Sequence, residues 1–310
     1  MPAFSKFSIL LPVFLSIAAV ILTGLALFSG RQQGFLEDYA IARLNTSMIG
    51  HDVFAKGAQD KDKDKDKGKG DVFDILRGKW QDLKDDTRDK VNQITANIAD
   101  DIADKIGVAD WYSLHVMNSC HGQYSPKATD IGASLNVTNC TDPSPKYRFN
   151  LTQMLDHQIK AGPLHINLAD LDWPDSIQEK LDILNDALLA LFSLYAIGFG
   201  VCALTFLCSL FTLTSPESRG LVLLNLALAI VAAIATTAGS IVITIATIKG
   251  VDELNAIGHR AGIVAEKGTK FLIITWVASG CMILASSYWL SHATILKRRQ
   301  RWQRPKQVTV

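Results

Sequence analysis

Residues 220–248 read GLVLLNLALAIVAAIATTAGSIVITIATI, 29 positions without an Asp, Glu, Lys or Arg. Three more stretches share this property: residues 7–30, 187–216 and 271–296, with 24, 30 and 26 positions. A helix rises about 1.5 Å per residue, so ~20 residues cross the ~30 Å hydrocarbon layer of a bilayer. All four stretches are long enough. The whole-chain averages conceal them: 48% hydrophobic, 20% charged, net charge +1 over 310 residues, mean hydropathy +0.18. A soluble enzyme, a nucleic-acid binder and a disordered chain are excluded as whole-protein readings.

The spans are placed at 9–28, 187–213, 220–248 and 271–293, with a second loop at 249–270. The first apolar core is longer than a signal-peptide core of ~7–15 residues and has no small-residue cleavage site after it, so it is read as an uncleaved span. Segments 1–8, 214–219 and 294–310 then lie on one side of the membrane with eight Lys or Arg and one acid, Glu217. The loop 249–270 holds four basic residues. Basic residues near span ends favour the cytoplasm. Asn-x-Ser/Thr sequons at Asn45, Asn136, Asn139 and Asn150 all fall in the long loop 29–186, as an extracellular or lumenal segment requires. Both readings put the N- and C-termini in the cytoplasm and residues 29–186 outside.

That loop carries 26 acidic and 19 basic residues. Within it, residues 51–70 alternate Asp and Lys in a low-complexity insert, which cannot bury apolar area. Residues 71–106 place Phe73, Leu76, Trp80, Leu83, Val91, Ile94, Ile98, Ile102 and Ile106 mostly three or four apart, the spacing of an amphipathic helix that packs on the loop, on lipid or on a partner helix. Residues 111–178 are expected to form the folded core. Cys120 and Cys140 are the chain's two cysteines outside the apolar spans, and an oxidising location favours their pairing. Closing such a loop stabilises by roughly 3 kcal/mol. A metal site from His115, Cys120, His121 and Cys140 is the weaker alternative, because the spacing matches no metal-ligand motif.

No ionisable residue lies deep in a span, which argues against a transporter or an ion pathway. Small residues such as Gly198, Ala232, Gly239 and Gly280 allow close helix packing, within one bundle or between copies. The tail supplies Lys297, Arg298, Arg299, Arg301, Arg304 and Lys306 with no acid, a composition suited to anionic lipid. No catalytic, cofactor-binding or metal constellation is found, and neither nucleic acid nor a small-molecule substrate is expected as a partner. The expected fold class is all-α: a four-helix transmembrane bundle with a large disulfide-closed extracellular first loop.

The segment WYSLHVMNSCHG, residues 111–122, resembles the outer-loop signature of a fungal family of four-span plasma-membrane proteins. Its marker residues here are Trp111, Tyr112, His115, Asn118, Cys120 and Gly122. The run INLADLDWPDSIQ at 166–178, with Trp173 and Pro174, is similar as well. The family groups actin-cortical-patch and eisosome-associated proteins with the pH-response regulator PalI. The resemblance implies a non-enzymatic organiser of static plasma-membrane compartments, tied to cortical organisation, endocytosis and cell-wall integrity, with lipids, further copies or other cortical membrane proteins as partners. The PalI branch implies ambient-pH signalling instead. The short tail favours the compartment-organising branch. The layout is also similar to claudins, but no Gly-Leu-Trp precedes Cys120 and the cysteine spacing is wider, so a junctional barrier role is not implied.

Overall fold

A computed structural model describes residues 6–48, 108–126, 132–161, 176–258 and 262–303. The insert 51–70, the amphipathic stretch 71–106, and Trp173, Pro174, Arg304 and Lys306 lie outside the described residues.

Four helices are long and apolar enough to cross a membrane. They are α1 (Lys6–Phe28), α3 (Ser176–Thr214), α4 (Arg219–Gly258) and α5 (Thr269–Gln303); a short α2 (Leu151–Ala161) precedes α3. In the bundle, α1 and α4 each pack against both α3 and α5. With 39 and 40 residues, α3 and α4 are roughly 60 Å long and overrun a ~30 Å hydrocarbon layer. The early start of α3 follows from the polar Ser176-Ile177-Gln178-Glu179 opening, which leads without a break into the apolar run.

The remaining described elements correct the all-α expectation. Five strands, β1 (Ala42–Asn45), β2 (Trp111–Leu114), β3 (Ser119–Ser125), β4 (Ser134–Cys140) and β5 (Val264–Lys267), form one antiparallel sheet in the order β4-β3-β2-β1-β5. The loop between α4 and α5 contributes β5, so both loops on this side build one structure. Three of the strands, β1, β2 and β5, escaped the sequence because they are only four residues long. All four residues of β2 are buried, so one face cannot be told from the other by hydropathy.

Sheet and bundle share a core. Ala42, Leu44, Tyr112 and Leu114 on one sheet face cluster with Leu27 of α1, Leu184, Leu188 and Leu191 of α3, Leu254 of α4 and Phe271 of α5. Leu151 and Leu155 of α2 complete it. A second cluster, with Ile9, Val13, Cys202, Val222, Met282 and Trp289, fills the opposite half of the bundle. Two asparagines on the overrunning helices grip backbone beyond the bundle, one in the segment between β4 and α2 and one in β5. Asn185 donates to the Phe149 carbonyl at 3.0 Å and accepts from its N–H at 2.6 Å. Asn255 does the same for Ala265 in the edge strand β5, at 3.0 and 2.6 Å. The Asn255 amide occupies a donor and an acceptor that a neighbouring strand would otherwise take.

Inside the bundle, buried hydroxyls and one amide are satisfied across helices. Tyr195, Ser240 and Ser279 form a chain at 2.9 and 3.0 Å that links α3, α4 and α5. Asn225 accepts from Ser209 and donates to Thr212, both at 2.9 Å. In lipid, where no water competes, such bonds replace an unsatisfied polar group and fix which helices are neighbours.

Candidate functional site

The 111–122 segment forms β2, a tight turn and β3. The turn closes where the His115 N–H donates to the Asn118 carbonyl at 2.9 Å. Cys120 and Cys140 stand opposite one another on β3 and β4 and are joined by a disulfide, S–S 2.03 Å.

His115, Asn118 and Cys120 converge on the loop that leaves α1. The His115 ring is fully buried, with Nδ1 3.3 Å from the Ser29 hydroxyl and Nε2 3.4 Å from Glu37 Oε1. Asn118 Nδ2 donates to the Gly30 carbonyl at 2.6 Å and to the Thr141 carbonyl at 3.3 Å. Gly30 has φ 73°, and a Cβ there would stand 2.3 Å from the His115 ring. Only glycine satisfies both the backbone and the contact. Burial pushes the Glu37 carboxyl up, but the His115 hydrogen bond and charge, with the charge of Arg43, outweigh it and hold it below its ordinary value. A charged Glu37 is therefore held on the buried ring, and His115 Nε2–H is the donor to it.

Glu37, His115 and Cys120 bring potential ligand atoms within 4.8 Å of one another. The Cys120 sulfur is committed to the cystine and offers no thiolate, so the set does not suit a metal ion. His121 lies elsewhere. It pairs in register with Tyr112, rings 5.7 Å apart, and burial lowers its pKa. The four residues of the alternative metal reading thus become a cystine, a junction histidine and a histidine tilted against Tyr112.

Trp111 is fully buried with the Arg43 guanidinium 5.9 Å from its ring centroid. Gly122 faces it across the strand pair, and a Cβ at Gly122 would lie 1.9 Å from the Asn136 carbonyl oxygen and 2.6 Å from the indole. This glycine is what lets β4 and the indole approach. Beside these residues the sheet keeps an open groove of about 740 Å³, lined by Arg43, Asn45, Tyr124, Leu135, Val137 and Glu266 among others. Burial, then the Glu266 charge, pushes the Tyr124 phenol up.

The four sequons fall at unlike places. Asn45 is half-buried in β1; Asn136 and Asn139 are exposed on the edge strand β4. Asn150 caps α2, its Oδ1 accepting from the Gln153 N–H at 2.9 Å. Lys297, Arg298 and Arg299 sit on the last turns of α5, the first two exposed, and Arg301 lies on the same helix. Sequence reasoning missed Gly30, Glu37 and Arg43, which carry no motif of their own and matter only through partners far along the chain.

The profile of the family described as SUR7/PalI family matches residues 8–287. The SUR7 family protein pun1 of Schizosaccharomyces pombe (strain 972 / ATCC 24843) is 32% identical over 109 residues. That stretch is 35% of this chain and 34% of the relative, so about a third of each is aligned. No solved structure matches the chain.

Proposed function

Because this chain belongs to the SUR7/PalI family, a family of multi-pass membrane proteins, we propose that it is a non-enzymatic organiser of static, eisosome-type compartments of the plasma membrane. In this reading it supports cortical organisation, endocytosis and cell-wall integrity. The carrying observation is the shared core: bundle and sheet form one unit, suited to holding position in a membrane rather than to moving a solute. The spans hold no Asp, Glu, Lys or Arg over 24 to 30 residues, which leaves no charged relay for transport. The sheet, with its cystine and sequons, faces outside, and both termini face the cytoplasm. The basic end of α5, from Lys297 onward, meets anionic lipid of the inner leaflet, where each charge contributes about 1 kcal/mol. Exposed apolar residues on α3 and α4, such as Phe211 and Ile234, face lipid, further copies or other cortical proteins. The test is imaging and photobleaching of a fluorescent fusion at Val310 beside a marker of membrane furrows. Clustered, slowly exchanging patches on the marker are expected; uniform, rapidly recovering fluorescence overturns the reading.

One observation favours a second reading, ambient-pH signalling. His121 lies half-buried in the sheet, its ring tilted against Tyr112, with a depressed pKa, so acid works against the fold of this layer. Deleting residues 297–310 abolishes signalling in that reading and leaves it intact in the first.

A further inference from the structure

Alternate residues of a strand share a face. Arg43 and Asn45 of β1, Ser113 and Trp111 of β2, and Gly122 and Tyr124 of β3 therefore lie on the sheet face turned away from the shared core. The loop after α1 covers one end of that face, through Gly30 and Glu37. The groove lies beside that loop, walled by its Leu36, Glu37 and Tyr39 and by Asn45 of the sheet. Asn45 begins the sequon Asn45-Thr46-Ser47. Its Oδ1 is already engaged, accepting from the Ser47 N–H at 3.0 Å and the Ser47 hydroxyl at 2.7 Å. The amide nitrogen is the atom an N-linked sugar occupies, and Asn45 itself lines the groove.

We propose that Asn45 carries an N-linked glycan and that the groove seats its first N-acetylglucosamine. In the linkage reaction Asn45 Nδ2 bonds to C1 of the sugar of a polyisoprenyl-diphosphate oligosaccharide. The C1–O bond to the diphosphate breaks, the diphosphate leaves, and Nδ2 gives up one proton. Transfer precedes folding, because β1 is afterwards paired on both sides, to Trp111 and to Val264. The sheet then closes around the sugar. The groove volume of about 740 Å³ fits an ordinary small-ligand pocket of ~300–1,000 Å³. Its wall has what a pyranose with an acetamide needs. Arg43, Glu266 and the Tyr124 phenol are donors and acceptors for hydroxyls, and Leu135 and Val137 are apolar surface for the ring and methyl. No such wall surrounds Asn136 or Asn139, which are exposed on the edge strand.

The inference rests on the reading that this side of the membrane is lumenal, and the experiment separates the two. The full chain is produced in a glycosylating eukaryotic host and purified in mild detergent. It is digested with peptide-N-glycosidase in heavy-oxygen water, native or denatured, and occupancy and release are read site by site by peptide mass spectrometry. Asn45 is expected to be occupied. In the native protein its glycan is released roughly tenfold more slowly than any on β4, because release there waits on local opening of the sheet. Denaturation removes the difference, and Tyr124→Ala narrows it. An Asn45 that is bare while Asn136 or Asn139 carries sugar overturns the inference alone, as does equal native release at Asn45 and β4. Four bare sequons overturn it together with the lumenal reading.

Discussion

Gly30 and His115 are 85 positions apart in sequence and occupy one place in the fold. The left-handed backbone at Gly30 and the ring against its α-carbon leave no room for a methyl group. Gly30→Ala is expected to cost at least ~2 kcal/mol, since it adds a steric clash to left-handed strain. A thermal melt in detergent should show it as a clear fall in Tm against Gly34→Ala, where φ is also positive but a Cβ meets open space. Among the described residues, His121, Glu37 and Asp38 are set to respond to acid, Asp38 because the Lys270 ammonium beside it holds its carboxyl below the ordinary value. His121 has a folded pKa below 6.5, so its neutral form is the folded one, and its contribution is complete above 6.5 and lost as pH falls. Glu37 has a folded pKa below 4.5, so its contribution is present above 4.5 and lost as pH falls through the folded value. Stability is therefore expected to decline in acid in two stages. His121→Phe should remove the earlier stage and Glu37→Gln should reduce the later, which Asp38 shares; melts from pH 7.5 to 3.5 check this. Little of this network could be read from sequence. His115 stands in a recognisable segment, whereas Glu37 and Gly30 become informative only once the chain returns them to the His115 ring.

At the scale of elements, the sheet's two edges are protected differently. On β5 the Asn255 amide takes the N–H and C=O of Ala265. On β4 one carbonyl, that of Thr138, accepts from Gln33 Nε2 at 2.7 Å, and the sequons Asn136 and Asn139 lie on the strand itself. Asn255→Ala leaves two backbone groups without their protein partner, at a cost of about 1–2 kcal/mol. Amide exchange should then speed up across β5 and β1 while α4 stays protected; unchanged exchange at Ala265 contradicts the role given to Asn255. Cys120→Ser removes the bond between β3 and β4 and is expected to cost ~2–5 kcal/mol, with poor surface delivery in cells. The strands were hidden because their pairing is non-local. Ala42 of β1 pairs with Leu114 on one side and with Lys267 on the other. Helices need only local periodicity and uninterrupted apolar length, so the four spans were legible from composition. The sheet needs partners that no window of sequence contains.

For the molecule as a whole, the legible feature and the hidden one join in the overrun of α3 and α4. The uncharged stretches gave the membrane-crossing lengths. The helices continue past them, and the added turns carry Asn185, which holds the segment between β4 and α2, and Asn255, which holds β5. Asn255→Leu combined with Asn185→Leu should therefore loosen β5 and the segment after β4 without unfolding the bundle: early loss of sheet signal on heating, with helical circular dichroism retained to a higher temperature. One concerted transition at the wild-type Tm contradicts this division. Cys120 and Cys140 were informative from sequence because they stand apart from the apolar spans, yet the sheet they tie together was not. The central claim is that four helices thread the bilayer with the sheet side outside and both ends in the cytoplasm. It is tested most directly by placing one epitope between residues 62 and 63 and another after Val310, then staining wall-free cells before and after permeabilisation. Antibody should reach the internal epitope on intact cells and the terminal one only after permeabilisation; the reverse pattern contradicts the account.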